Sequence, residues 1–151
     1  MKEGQKKAFN KAINNANKVA MSLSDLFCVD RHKDQFLNLV KDKLDIVFAN
    51  EQEILSLINT KSFNDVLSFA KELKKNIVIT RGAKGAVAIK NNLIYECSAK
   101  ENLKIKDLTG AGDLFAAGYL HGIINEMSIE KSLDKGTEMS SKIIQKIGAR
   151  I

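Results

Sequence analysis

Proline is absent from this chain, cysteine appears twice, histidine twice, and the aromatic residues are two Tyr and seven Phe. Each scarcity excludes something. Without proline, the loops lack one kind of rigid punctuation. Cys28 and Cys97 lie far apart and have no metal-ligand spacing around them, so neither a disulfide framework nor a zinc site is expected. They read as two reduced thiols of a cytoplasmic protein. No Cys/His pair suggests a thiol nucleophile. No apolar run approaches the roughly 18 residues that cross a bilayer, and the segment from Met1 to Lys7 lacks the apolar core of a secretion signal. The net charge of +6 fits small anionic ligands better than nucleic acid, because the lysines are scattered and no aromatics interleave with them as a stacking platform. Neither a membrane nor a nucleic-acid partner is expected.

What is present is ordinary globular composition, 44% hydrophobic and 28% charged, over 151 residues. That is enough for one domain with a proper core. Apolar residues at Ala8, Phe9, Ala12, Ile13 and Ala16 predict a helix over 2–18. A strand over 19–24, a helix over 31–43 and a strand over 45–50 follow. Helices are predicted near 51–58 and 62–74, the second capped by Ser62 with Phe63, Val66, Leu67, Ala70 and Leu73 facing inward. Asn76 to Thr80 reads as a strand, 81–85 as a turn, and 86–90 with 93–98 as a hairpin around Asn91 and Asn92. A helix to about Asn125 and a last helix over 129–147 complete the chain. Asp30, Arg31 and His32 read as a solvated turn leading into a helix, and His121 as a packing or surface residue. Strands alternating with helices predict an α/β fold with a mostly parallel sheet.

The densest chemistry lies at Asp107-Leu108-Thr109-Gly110-Ala111-Gly112-Asp113, which runs into the apolar stretch from Leu114 to Leu120. A glycine-rich turn opening a helix leaves backbone N–H groups unpaired at its positive end and holds an anion, usually phosphate. A carboxylate in the same turn makes sense if it takes a proton from a hydroxyl attacking that phosphate. No Gly-x4-Gly-Lys-Ser/Thr string exists, which removes the Walker loop. The dinucleotide fingerprint fails because its third glycine falls on Phe115. Glycines used only for helix packing would explain Gly110 and Gly112 but not two aspartates and a threonine beside them.

This segment resembles the second motif of the PfkB, or ribokinase-like, sugar and nucleoside kinases. Three further elements follow the family's order: Asn50-Glu51-Gln52-Glu53 is similar to its Asn-x-x-Glu motif, Thr80-Arg81-Gly82-Ala83-Lys84-Gly85 to its nucleotide turn, and Ile147-Gly148-Ala149 to its closing loop. The resemblance implies a three-layer α/β/α fold. It makes Asp113 the base and gives the amides of Gly110, Ala111, Gly112 and Asp113 as the anion hole. Asn50 and Glu53 would hold magnesium and its waters, with a helix cap and acidic first turn as the competing reading. Thr80, Arg81, Gly82 and Gly85 would lie along the phosphates and ribose of ATP, and residues 136–144 would wall the adenine. Asp107 and Thr109, with Gly148 opposite, match positions that bind a monovalent cation such as potassium in some members.

The resemblance covers the C-terminal half of such a kinase. The N-terminal strands, the lid and the acceptor-sugar motif have no counterpart, so residues 1–151 read as one partial domain, weakly active or inactive alone. An exposed sheet edge is expected where further strands would pair, a place for self-association. Met21 to Asp25 and Val29 to His32 resemble bacterial adenosine-kinase-like members. The alternative reading is a non-catalytic nucleotide-binding or assembly module.

Overall fold

Five strands form one sheet in chain order in the computed structural model, which describes residues 3–150. They are β1 (Ala20–Ser22), β2 (Ile46–Asn50), β3 (Asn76–Thr80), β4 (Ala86–Lys90) and β5 (Leu93–Cys97). Strands β1, β2 and β3 run parallel, and the β4–β5 hairpin adds two antiparallel pairings. The sheet is therefore mixed: the expected parallel pairing holds for its first three strands, and the expected hairpin supplies the rest. Strand β1 pairs with β2 alone and forms one edge.

Helices α2 (Leu26–Arg31), α3 (Lys33–Asp42), α4 (Glu51–Leu57) and α5 (Phe63–Leu73) cover one face, and α6 (Ala111–Ile124) with α7 (Ile129–Ile143) covers the other. The alternation of strand side chains divides the core accordingly. Val47, Ile77, Ile79, Val87 and Ile89 join Leu23, Val40, Ile54, Leu57 and Val66 on the first face. Phe48, Val78 and Ala88 join Phe115, Tyr119 and Leu133 on the second. Strands buried on both faces are apolar at nearly every position, which is why β2 and β3 read as runs rather than alternations. Each fully buried Leu or Ile contributes about 1.5–3 kcal/mol relative to exposure.

Three sequence expectations are corrected. The helix predicted over 31–43 is α3, but a separate short helix not predicted, α2, precedes it, and the two break at His32, where the backbone leaves helical geometry (φ −127°, ψ 28°). Asp30 and Arg31 are helical, not a solvated turn. Asp25 caps α2 by accepting the Cys28 N–H at 2.8 Å, the Ser56 hydroxyl donates to Asp30, and Arg31 lies 4.3 Å over the Phe27 ring. The last helix ends at Ile143 rather than 147. Helix α1 (Glu3–Asn15) half-buries Phe9 and Ile13 of its predicted apolar face, while Ala8, Ala12 and Ala16 stay exposed; its predicted first residue, Lys2, lies outside the described residues.

Helices α6 and α7 approach each other at backbone distance. A Cβ on Gly118 would stand 2.6 Å from the Lys135 carbonyl oxygen, and one on Gly136 would stand 2.8 Å from that of Phe115. Across this layer the Tyr119 hydroxyl and the Asn76 side-chain amide exchange hydrogen bonds at 2.9 and 3.0 Å. Burial pushes the Tyr119 hydroxyl up to about 12.

Candidate active site

Strands β2 and β3 end together, with Asn50 and Thr80 paired in register. Asn50 caps α4. Its Oδ1 accepts the Glu53 N–H at 2.8 Å, while Glu53 accepts the Asn50 N–H at 2.9 Å and its side-chain amide at 2.7 Å. The reciprocal capping box satisfies two orphan donors of the helix start. Glu53 is only 4% exposed, and burial pushes its carboxyl up. The cap reading is thus realised in full. A carboxylate already holding two hydrogen bonds fits magnesium through that ion's retained waters better than as a direct ligand.

Past Thr80 the chain makes a tight turn closed by the Arg81 N–H on the Gly85 carbonyl at 2.8 Å. Gly82 takes φ +58°, and a Cβ there would meet nothing within 4 Å. Gly85 is different. At φ +85° it is buried, and a Cβ would fall 1.9 Å from the Cys97 carbonyl oxygen, so its glycine serves hairpin packing. Arg81 departs from expectation as well, because its guanidinium is turned onto Glu51 and Phe63.

Helix α6 runs opposite to β3. Its end reaches the starts of β2 and β3, where Ile123 shares a cleft with Asp45, Ile46 and Asn76. From the Tyr119–Asn76 contact, Tyr119 back to Ala111 rises about 12 Å along the helix and Asn76 to Thr80 about 13 Å along the strand. The entrance of α6 therefore stands level with Asn50 and Thr80. Gly110 caps it at φ +78°, in the left-handed region that glycine enters without penalty. Its neighbour across the gap is Ala149, whose Cβ would lie 3.0 Å from a Cβ at Gly110.

Not all four expected anion-hole amides are free. The Ala111 N–H donates to the Leu108 carbonyl at 3.1 Å. The Gly110, Gly112 and Asp113 N–H groups have no acceptor among the described residues. Gly112 is exposed, and a Cβ on it would meet nothing within 4 Å, so a side chain added there has room. Asp113 is exposed in the same first turn.

The preceding loop is tied down by Asp107. Its Oδ1 accepts the Thr109 N–H at 2.9 Å and hydroxyl at 2.7 Å, and its Oδ2 accepts the Gly148 N–H at 2.9 Å. The Thr109 hydroxyl and Gly148 amide hold the Asp107 carboxyl below the usual carboxylate range. Through these three hydrogen bonds Asp107 straps the two loops together. Among the described residues no group of three or more His, Cys, Asp or Glu is placed to hold a metal ion.

Of residues 136–144, Gly136 is packed on Phe115, Thr137 lies 3.1 Å from the Cys97 sulfur, and Glu138 pairs with Lys135 and Lys142. His121 is exposed, as expected. No helix among the described residues is long and apolar enough to cross a membrane. Sequence reasoning missed Glu51 and Phe63 as partners of Arg81. The only available signal was the position of Glu51 beside the Asn50 cap.

Comparison with known proteins agrees with this geometry. The adenosine kinase of Sinorhizobium meliloti superposes with a TM-score of 0.88 at 34% identity, over 99% of this chain and 46% of that one. A probable sugar kinase from Rhizobium etli CFN 42 gives 0.87 at 38% identity, over 95% of this chain and 44% of that one. The cytidine kinase of Thermococcus kodakarensis is 32% identical over 120 residues, which are 74% of this chain and 41% of that enzyme. The chain spans less than half the length of these relatives. The model of the pfkB family of carbohydrate kinases matches residues 3–151, and the chain belongs to that family.

Proposed function

We propose that the site serves ATP-dependent phosphorylation of a sugar or nucleoside hydroxyl. The observation that carries this reading is the entrance of α6, where unpaired N–H groups at Gly112 and Asp113, the exposed Gly112 and the exposed Asp113 carboxylate share one turn. The acceptor hydroxyl gives its proton to Asp113 as its oxygen bonds to the γ-phosphorus. The bond from that phosphorus to the bridging oxygen breaks, and ADP leaves. The Gly112 and Asp113 amides hold the charge that builds on the transferred group. The Asn50–Glu53 box would hold magnesium through water, and the ion, when bound, neutralises phosphate charge. Thr80 and Gly82 would lie along the phosphates. No step is assigned to a potassium ion.

For this chain by itself, nucleotide binding with little turnover is the expected behaviour. Positioning of the acceptor can supply about 7–11 kcal/mol of such a reaction, and the chain matches less than half of its relatives.

Calorimetry with Mg·ATP tests the reading. The wild-type chain binds, and Gly112→Val, which the protein itself accommodates, weakens binding at least tenfold at unchanged melting temperature. Asp113→Asn leaves binding nearly intact and lowers any measurable turnover by about 10²-fold. Undiminished binding by Gly112→Val would remove the anion hole from this turn.

A further inference from the structure

Resting on the nucleotide reading above, we infer that Arg81 is a positioning residue that acts through Glu51 and makes no contact with phosphate. Its guanidinium meets the Glu51 carboxylate as a fork, Nε to Oε2 at 3.1 Å and Nη2 to Oε1 at 3.2 Å. The same group lies 3.7 Å over the ring of Phe63. Glu51 is the first residue of α4 and Phe63 the first of α5. One side chain therefore fastens the turn after β3 to the starts of two helices.

Both partners are largely screened from water, with side chains 19% and 22% exposed, so the fork is shielded more than an ordinary surface pair. Lys84, at 3.6 Å from Glu51, adds charge from the far side of the same turn. The β2–β3 ladder already holds Asn50 beside Thr80; what the fork sets is the distance of the turn from α4, with Asn50 and Glu53 on the α4 side and Gly82 on the turn side. A ligand that spans both, as Mg·ATP would, binds well only if the two sides keep their spacing. A ligand that uses the turn alone is indifferent to it.

The two possible roles of Arg81 separate on substitution. Lysine keeps the charge and reaches phosphate as a point charge, but it cannot form the planar two-bond fork. If Arg81 positions the turn, Arg81→Lys, Arg81→Gln and Glu51→Gln each weaken Mg·ATP about fivefold, and the Glu51→Gln/Arg81→Gln double variant is no worse than either single one. Metal-free ADP, which leaves the Asn50–Glu53 side unused, then changes less than twofold. Melting temperatures, measured in parallel, stay within about 3 °C of wild type, since the pair itself adds little stability. Wild-type affinity in Arg81→Lys, additive losses in the double variant, or equal losses for both ligands would each overturn the inference. Absence of Mg·ATP binding by the wild-type chain would instead overturn the nucleotide reading on which it stands.

Discussion

The two faces of the sheet are held by different means. Under α2–α5 the fully buried side chains are aliphatic: Leu23, Val40, Ile54, Leu57, Val66 and Ile77 meet in one cluster, with Phe36, Phe63 and Phe69 packed against it. Under α6 and α7 the contacts are individual. Backbone touches backbone at Gly118 and Gly136, and a tyrosine exchanges hydrogen bonds with an asparagine. The first kind of packing depends on volume and tolerates exchange of one apolar shape for another. The second depends on the presence or absence of single atoms. The face that carries the α6 entrance is the one built to the closer tolerance.

Opposite manipulations should expose this contrast. The largest effect is expected on the aliphatic face from removal of volume: Leu57→Ala costs about 3 kcal/mol in denaturant unfolding, while Leu57→Met costs less than about 1.5 kcal/mol. On the other face, adding one methyl is the damaging change. Gly118→Ala would place carbon 2.6 Å from the Lys135 oxygen and costs about 2 kcal/mol. If Gly118→Ala proves neutral, the helices can part and the contrast is lost. Tyr119→Phe strips both hydrogen bonds from a buried amide, for about 1–2 kcal/mol.

The smallest effect concerns the Glu51–Arg81 pair, and it is read through pH. The Arg81 hydrogen bond holds the Glu51 carboxyl below the usual range. A carboxyl with a depressed folded pKa adds stability that is present above its unfolded value, near 4.3, and lost as pH falls through the folded one. Wild type should therefore exceed Glu51→Gln by about 1 kcal/mol at neutral pH. The gap should close below pH 4. A gap that persists in acid would mean that shape, not charge, joins these elements.

Much of the architecture was readable in advance because its signals are local. Runs such as Ile46-Val47-Phe48-Ala49 read as strands buried on both sides, and Asn91-Asn92 marks its own hairpin with two positive φ values. Helix α2 was missed because one buried residue, Val29, in six is too little for periodicity to register. The site was legible as a set of positions but not as a set of jobs. Asn50 and Glu53 are the residue types for a cap and for a hydrated magnesium alike. Gly85 looks like a phosphate-turn glycine, yet its reason is the carbonyl of Cys97, which no local pattern announces. Arg81 was assigned to phosphate since its two partners, Glu51 and Phe63, are remote in sequence.

Helix α6 is apolar nearly all the way round, with Leu114, Phe115, Ala117, Tyr119, Leu120, Ile123 and Ile124 pointing in every direction. Hydrophobicity therefore gives it no preferred rotation about its own axis. A slip of one residue would turn it by about 100°. What selects one angle is the key-and-notch of Tyr119 in Asn76 and Gly118 against Lys135. The aim of the Gly112 and Asp113 amides is thus fixed about 9 Å further along the shaft, by residues that touch no ligand.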